Sequence, residues 1–134
     1  MYLAMLNETQ KKLFLEFAHT LASIDGNISE QEHQMLKEYC AEMRIEYQAD
    51  ITVKSMDEII DLIEKEFSDL EKRIMVFEAI GLAMVDSNYD ESERKMIADL
   101  AKIFGIRNGF DKDCENILKE YIGIQCRMNE IVLD

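Results

Sequence analysis

Apolar residues recur at spacings of three and four along most of the chain, which is the period of one face of an α helix. Five such stretches follow a short polar residue that has Glu or Gln three positions later, the pattern of a capping box. The five pairs are Asn7/Gln10, Ser29/Glu32, Ser55/Glu58, Ser68/Glu71 and Asp90/Glu93. The pattern therefore predicts helices over about residues 8–24, 30–44, 56–67, 69–85 and 91–104.

A further helix is predicted from about residue 112. Its apolar face comprises Ile117, Leu118, Tyr121 and Ile122. Because glycine is a poor helix former, Gly123 is expected to break this helix before a last segment that ends in Ile131, Val132 and Leu133.

The helical period also predicts which side chains face the core and which face solvent. On the fourth predicted helix the apolar face begins at Leu70. On the first helix, a rotation of about 100° per residue places Glu16 and His19 opposite the stripe of large apolar side chains. We therefore expect His19, together with His33 at the start of the second helix, to lie at the surface.

The chain contains an internal repeat. A shift of 61 residues, the separation of Asp25 and Asp86, also aligns Asn27 with Asn88. A helix-loop-helix unit cannot bury its apolar face alone, so two such units are expected to pack together. We predict two pseudo-repeated helix-loop-helix units, at about 10–45 and 70–106, in one all-α domain of six or seven short helices that spans residues 1–134.

The composition supports this helical prediction. The 134 residues include no proline and 5 glycines, and 48% of them are hydrophobic, which is enough for a substantial core. Three cysteines without a CxxC pattern favour free thiols in a reducing compartment. The apolar stub at the start is too short for a signal peptide, and no segment is long enough to span a bilayer. We expect a cytoplasmic protein without membrane insertion.

The charge balance narrows the classes of partner. The chain has 15 basic and 28 acidic residues, a net charge of −13. Nucleic-acid binding depends on basic patches that displace counterions from phosphates, and the short basic pairs of this chain form no such patch. An acidic surface suits cations or basic partner proteins. We expect a protein partner rather than nucleic acid, and a homodimer is compatible with the sequence.

Two loops carry the candidate chemistry. Each sets oxygen-bearing side chains at alternate positions just before a predicted helix, and carboxylate and amide oxygens are the ligands that divalent cations such as calcium, magnesium or manganese prefer. The candidate metal ligands are Asp25, Asn27, Glu32, Asp86, Asn88, Asp90 and Glu93. Helix capping and Asx-turns explain most of the same residues without an ion, so both interpretations stay open.

Neither loop is an EF-hand. Counted from Asp25 as position 1, Glu30 occupies position 6, where an EF-hand needs glycine, and Leu36 occupies position 12, where it needs glutamate. The second loop departs in the same way with Glu91 and Ile97. Any cation site would therefore have its own geometry.

The first loop carries a family resemblance. The pattern AxxDGxISxxE resembles the signature of the TerB family of tellurite-resistance proteins, and it comprises Ala22, Asp25, Gly26, Ile28, Ser29 and Glu32. A related helical domain occurs in some DnaJ-type co-chaperones. The resemblance covers about residues 10–125, and in the second loop Ser87 stands where Gly26 stands in the first.

The resemblance implies an all-helical fold built around two similar helix pairs. It also implies a cytoplasmic, non-enzymatic stress-response module with metal ions as proposed ligands at an acidic face. On the matching positions this points to Asp25, Glu32, Asp86 and Glu93.

Three hypotheses for the function follow. The first is a TerB-like module that acts through its acidic face on a divalent cation or a basic partner. The second is a metal-dependent enzyme that uses the clustered carboxylates together with His33. The third is an ion-free interaction domain whose apolar C-terminal segment docks on a partner or on a second copy. Neither a GxSxG nucleophile elbow nor a glycine-rich phosphate loop occurs, so we assign no catalytic residue and favour the module.

Overall fold

Short polar side chains begin most of the helices, and these starts define the fold. The computed structural model describes residues 1–24, 26–47, 54–85 and 89–133. The described residues form a 3-10 turn at Leu3–Met5 and six α helices: α1 Glu8–Ala22, α2 Glu30–Met43, α3 Met56–Glu66, α4 Asp69–Met84, α5 Glu91–Ile103 and α6 Phe110–Val132. The predicted all-α class is confirmed.

The five predicted helix starts are confirmed at their caps. Asn7, Ser29 and Ser68 form complete capping boxes, in which the side chain of the third helical residue also accepts from the amide of the cap. Ser55 and Asp90 each accept a hydrogen bond from the amide of the third helical residue. These bonds satisfy amides that the helix itself leaves unpaired.

Helices α1 and α4 lie at the centre of the domain. Helix α1 contacts α2, α3 and α4, whereas α4 contacts α1, α2, α5 and α6. The core between them includes Phe14, Phe17, Leu36, Met43, Ile59, Ile63, Met75 and Ile80. Helices α1 and α2, and likewise α4 and α5, lie within the two predicted repeat units, and the repeat itself stays a prediction.

The side chain of Gln10 connects three elements near the start of α1. Its Nε2 donates to the main-chain oxygen of Glu66 at 2.8 Å and to Oε1 of Glu71 at 2.7 Å. Gln10 is buried, so these bonds satisfy a polar group that would otherwise be costly to remove from water. They hold the junction between α3 and α4 against α1.

The prediction that Gly123 breaks the last helix is wrong. Helix α6 runs without interruption over 23 residues, and Gly123 lies inside it. Glycine costs a helix interior about 1 kcal/mol relative to alanine but leaves the hydrogen-bond pattern intact, so a long helix can accommodate it.

Two predictions of burial are also wrong. His19 is buried rather than at the surface, because α1 is covered by three helices and its burial extends beyond one stripe. Leu70 is 47% exposed, although the helical spacing of the apolar residues places it on the buried side of α4. The period gives the side of a helix on which a residue lies, whereas burial also depends on how far along that helix a neighbour reaches.

Candidate acidic loop face

The first loop ends in a tightly capped helix start. The amide of Glu32 donates to Oγ of Ser29 at 3.1 Å, and the amide of Ser29 donates to Oε1 of Glu32 at 3.0 Å. The carboxylate of Glu32 is therefore turned towards the helix start, and the residue is 9% exposed. Earlier in the loop, Gly26 has φ of 103°, a conformation that L side chains rarely adopt, and Asn27 is exposed.

The second loop ends in a similar way at Asp90. Its Oδ1 accepts from the amide of Glu93 at 2.9 Å and from the hydroxyl of Ser92 at 2.9 Å. The bond from the Glu93 amide, followed by that from Ser92, lowers the pKa of Asp90. An ionised Asp90 is thus favoured at the start of α5, where the helix dipole also stabilises negative charge.

The predicted ligands fall into two groups. Asp25, Asp86 and Asn88 lie outside the described residues. Asn27, Glu32, Asp90 and Glu93 are described, and Glu32 and Asp90 take part in hydrogen bonds of helix caps. Within the described ranges, no three His, Cys, Asp or Glu side chains are grouped so that they could hold a metal. The metal assignment stays a prediction.

A basic side chain, that of Arg94, lies in the first turn of α5 and follows the second loop in the sequence. Nε of Arg94 donates to Oε1 of Glu115 at 2.9 Å, its guanidinium lies 4.7 Å from the ring centre of Tyr89, and Lys119 reaches the other oxygen of Glu115 at 3.3 Å. The hydrogen bond from Arg94 lowers the pKa of Glu115. This group joins the start of α5 to α6. No local pattern in the sequence predicts this group, because Arg94 and Glu115 are 21 residues apart.

His33 is held by a tyrosine rather than left free at the surface. Its Nδ1 lies 2.6 Å from the hydroxyl of Tyr47, and the side chain is half-buried. Burial raises the pKa of Tyr47, so its hydroxyl stays protonated and can donate to the imidazole. The contact orients His33 at the first turn of α2.

A separate groove of about 440 Å³ lies between α2, α4 and α6. Its acidic side holds Glu38, Glu42 and Glu78. The amino group of Met1 contacts Glu42 at 2.9 Å and Glu78 at 2.7 Å. The sequence does not predict this grouping, because helix packing rather than chain proximity brings Glu42 and Glu78 together, 36 positions apart.

The comparisons with known proteins identify the fold. The chain is similar to a tellurite resistance protein from Nostoc punctiforme whose crystal structure is known, with a TM-score of 0.68 and 21% identity. The similarity covers 96% of this chain and 84% of that chain. No protein-family model matches the sequence, and no curated protein matches it either. The two proteins share one fold, as the resemblance to tellurite-resistance proteins implied.

No helix in the part of the chain that the structure describes is both long enough and apolar enough to cross a bilayer.

Proposed function

We propose that this chain is a non-enzymatic binding module whose acidic loop face, residues 25–32 and 86–93, binds a divalent cation or a basic partner. The pair of capped helix starts carries this proposal. Ser29 and Asp90 fix the first turns of α2 and α5, and these turns present Glu30 and Glu91 to solvent. The side chain of Glu91 is 94% exposed.

The charge distribution supports a cationic ligand of modest affinity. The net charge of −13 attracts cations to the surface in general. The start of a helix, however, carries partial positive charge, so an ion must be held by loop oxygens rather than by the helix end. Flexible oxygen sites of low charge bind calcium with dissociation constants on the order of 10⁻⁴–10⁻³ M, and we expect this range.

The structural neighbour suggests the biological setting. That protein is described as a tellurite resistance protein, and this chain shares its fold. We extend this to a role in the cytoplasmic response to chemical stress, in which the module responds to an ion or engages a basic protein.

The test is an amide NMR titration of the full chain with calcium, magnesium and manganese in turn. The variant Asp25→Ala/Asp86→Ala is compared with Asp57→Ala/Asp61→Ala, which changes the net charge equally at exposed positions of α3. We expect saturable changes confined to residues 25–33 and 86–94. They should be lost in the first variant and kept in the control.

A titration of the same variants with a basic peptide such as oligolysine tests whether the acidic loop face binds a basic partner. If both variants responded equally to ion and to peptide, binding would depend only on the overall negative charge. That result would contradict the proposal that the acidic loop face is the binding site. Metal-dependent hydrolysis of p-nitrophenyl phosphate that disappears in His33→Ala would favour the enzyme instead.

A further inference from the structure

Only the first part of helix α6 is buried in the domain, although Tyr121, Ile122 and Gln125 also line the groove against α2 and α4. Its buried residues, Cys114, Glu115 and Leu118, all lie within its first nine positions. From Lys119 to Val132 no residue is buried. At 1.5 Å per residue this segment is about 21 Å long, and helices of this length are marginal in water without a packing partner.

The extended segment carries a continuous apolar stripe. Its members are between 42% and 81% exposed and alternate at spacings of four and three, the heptad spacing of a helix that packs along another helix. We call this set the α6 stripe, and it consists of Ile117, Tyr121, Ile124, Met128 and Ile131. Scattered exposed apolar residues are ordinary, whereas a contiguous stripe marks an interaction surface.

The charges of this segment differ from those of the whole chain. Between residues 117 and 133 the charged side chains are Lys119, Glu120, Arg127 and Glu130, which cancel. The chain as a whole carries −13, so two copies repel each other over most approaches. The side chains of this segment add no net charge to that repulsion.

We propose that the α6 stripe binds the α6 stripe of a second copy, with the two helices antiparallel. Glu120 and Arg127 are seven residues apart and therefore flank the same edge of the stripe. When Tyr121 lies opposite Ile124 of the partner subunit, Glu120 comes beside Arg127 of the partner subunit. The twofold symmetry repeats this ion pair, as an interface between identical surfaces requires.

The same charges select the orientation. In a parallel pair, the edge residues that meet are five positions apart, which places Glu120 near Gln125 of the partner subunit and Arg127 near Val132 of the partner subunit. Neither contact pairs opposite charges.

A second copy fits the α6 stripe better than a bilayer surface does. Helices that bind membranes are rich in Lys and Arg on their polar face, and this segment has no excess of either.

Sedimentation of the full chain across a range of concentrations tests the dimer. We expect a reversible dimer in the wild type and an at least tenfold higher dissociation constant in Ile124→Glu. The matched control is Ile103→Glu, because Ile103 is a similarly exposed isoleucine on α5, at 54% against 46% for Ile124. Its dissociation constant should stay within twofold of the wild type, and circular dichroism should show that both variants remain helical.

Charge reversal tests the orientation. Glu120→Arg alone and Arg127→Glu alone should each weaken self-association, because each brings like charges together across the antiparallel pair. The mixture of the two variants and the double variant Glu120→Arg/Arg127→Glu should both restore it. A monomer at 0.5 mM, or a wild type that binds anionic vesicles as a monomer, would overturn the dimer. Unaltered association of the single variants would overturn the antiparallel arrangement.

Discussion

The hydroxyl of Tyr39 donates a hydrogen bond of 2.7 Å to the main-chain oxygen of Glu78, and this contact joins α2 to α4 inside the core. Tyr39 is 3% exposed, and its ring packs edge-on against Phe14 with the ring centres 5.5 Å apart. Burial, reinforced by nearby carboxylates, raises the pKa of Tyr39 well above its usual range. The hydroxyl is therefore protonated at neutral pH and can act as the donor.

Removing this hydroxyl should weaken the fold by a modest amount. Tyr39→Phe keeps the ring and leaves the Glu78 carbonyl with its helical hydrogen bond, so we expect a loss of about 1 kcal/mol in the free energy of unfolding. Urea denaturation measures the difference. Tyr2→Phe is the control, because Tyr2 is 49% exposed, and a change in Tyr39→Phe no larger than in Tyr2→Phe would contradict the role of the bond.

Substitution by alanine should change the stability of the protein in opposite directions at Gly26 and at Gly123. A Cβ at Gly26 or at Gly123 would meet no atom within 4 Å, so space does not distinguish them. Gly26 has φ of 103°, and alanine there should cost about 1–2 kcal/mol of stability. Gly123 lies inside α6, where alanine should stabilise the helix by roughly 0.5–1 kcal/mol.

Thermal unfolding of Gly26→Ala and Gly123→Ala checks the pair, and amide hydrogen exchange over 119–132 localises the effect in α6. The same sign for both substitutions would show that backbone conformation is not what separates the two positions.

The ion pair between Arg94 and Glu115 should give a pH-dependent contribution. The hydrogen bond from Arg94 lowers the pKa of Glu115 in the folded protein. The ionised carboxylate therefore stabilises the fold above the ordinary glutamate pKa of about 4.3, and this contribution is lost as the pH falls through the lowered value. Glu115→Gln should cost about 1–2 kcal/mol at pH 7, and the difference from the wild type should shrink below about pH 4.

Denaturation curves of the wild type and Glu115→Gln between pH 3 and pH 7 provide the measurement. Asp113→Asn is the control, because its pair with Arg107 is largely exposed and such pairs contribute little. A difference that persists unchanged at pH 3 would show that Glu115 acts through packing rather than through its charge.

The three cysteines should separate by reactivity. Cys126 is exposed, whereas Cys40 and Cys114 are buried. Burial raises the pKa of the Cys40 thiol and raises that of Cys114 to about 11, which suppresses the reactive thiolate. Ellman's reagent at neutral pH should therefore modify one thiol rapidly in the native protein and all three after denaturation.

Cys126→Ser identifies the fast thiol, because its rapid phase should disappear while the denatured protein still shows the other two. A rapid phase that survives this substitution would place a second thiol at the surface.

The helix caps beside the two loops were predictable from the sequence, because they depend on local contacts. Ser29 with Glu32, and Asp90 with the amide of Glu93, are three positions apart, so neighbouring residues alone decide the cap. The contact between Arg94 and Glu115 was not predictable in this way, because the packing of α5 against α6 brings the two side chains together.

The sequence by itself determined the helical class and the helix starts, because periodicity and capping act within one or two turns of the chain. The tertiary structure alone decided which apolar faces are covered. It buried His19 by surrounding α1 with three helices, and it left the α6 stripe exposed because the buried residues of α6 all lie within its first nine positions. Burial depends on the reach of neighbouring helices, and a periodic pattern contains no information about that reach.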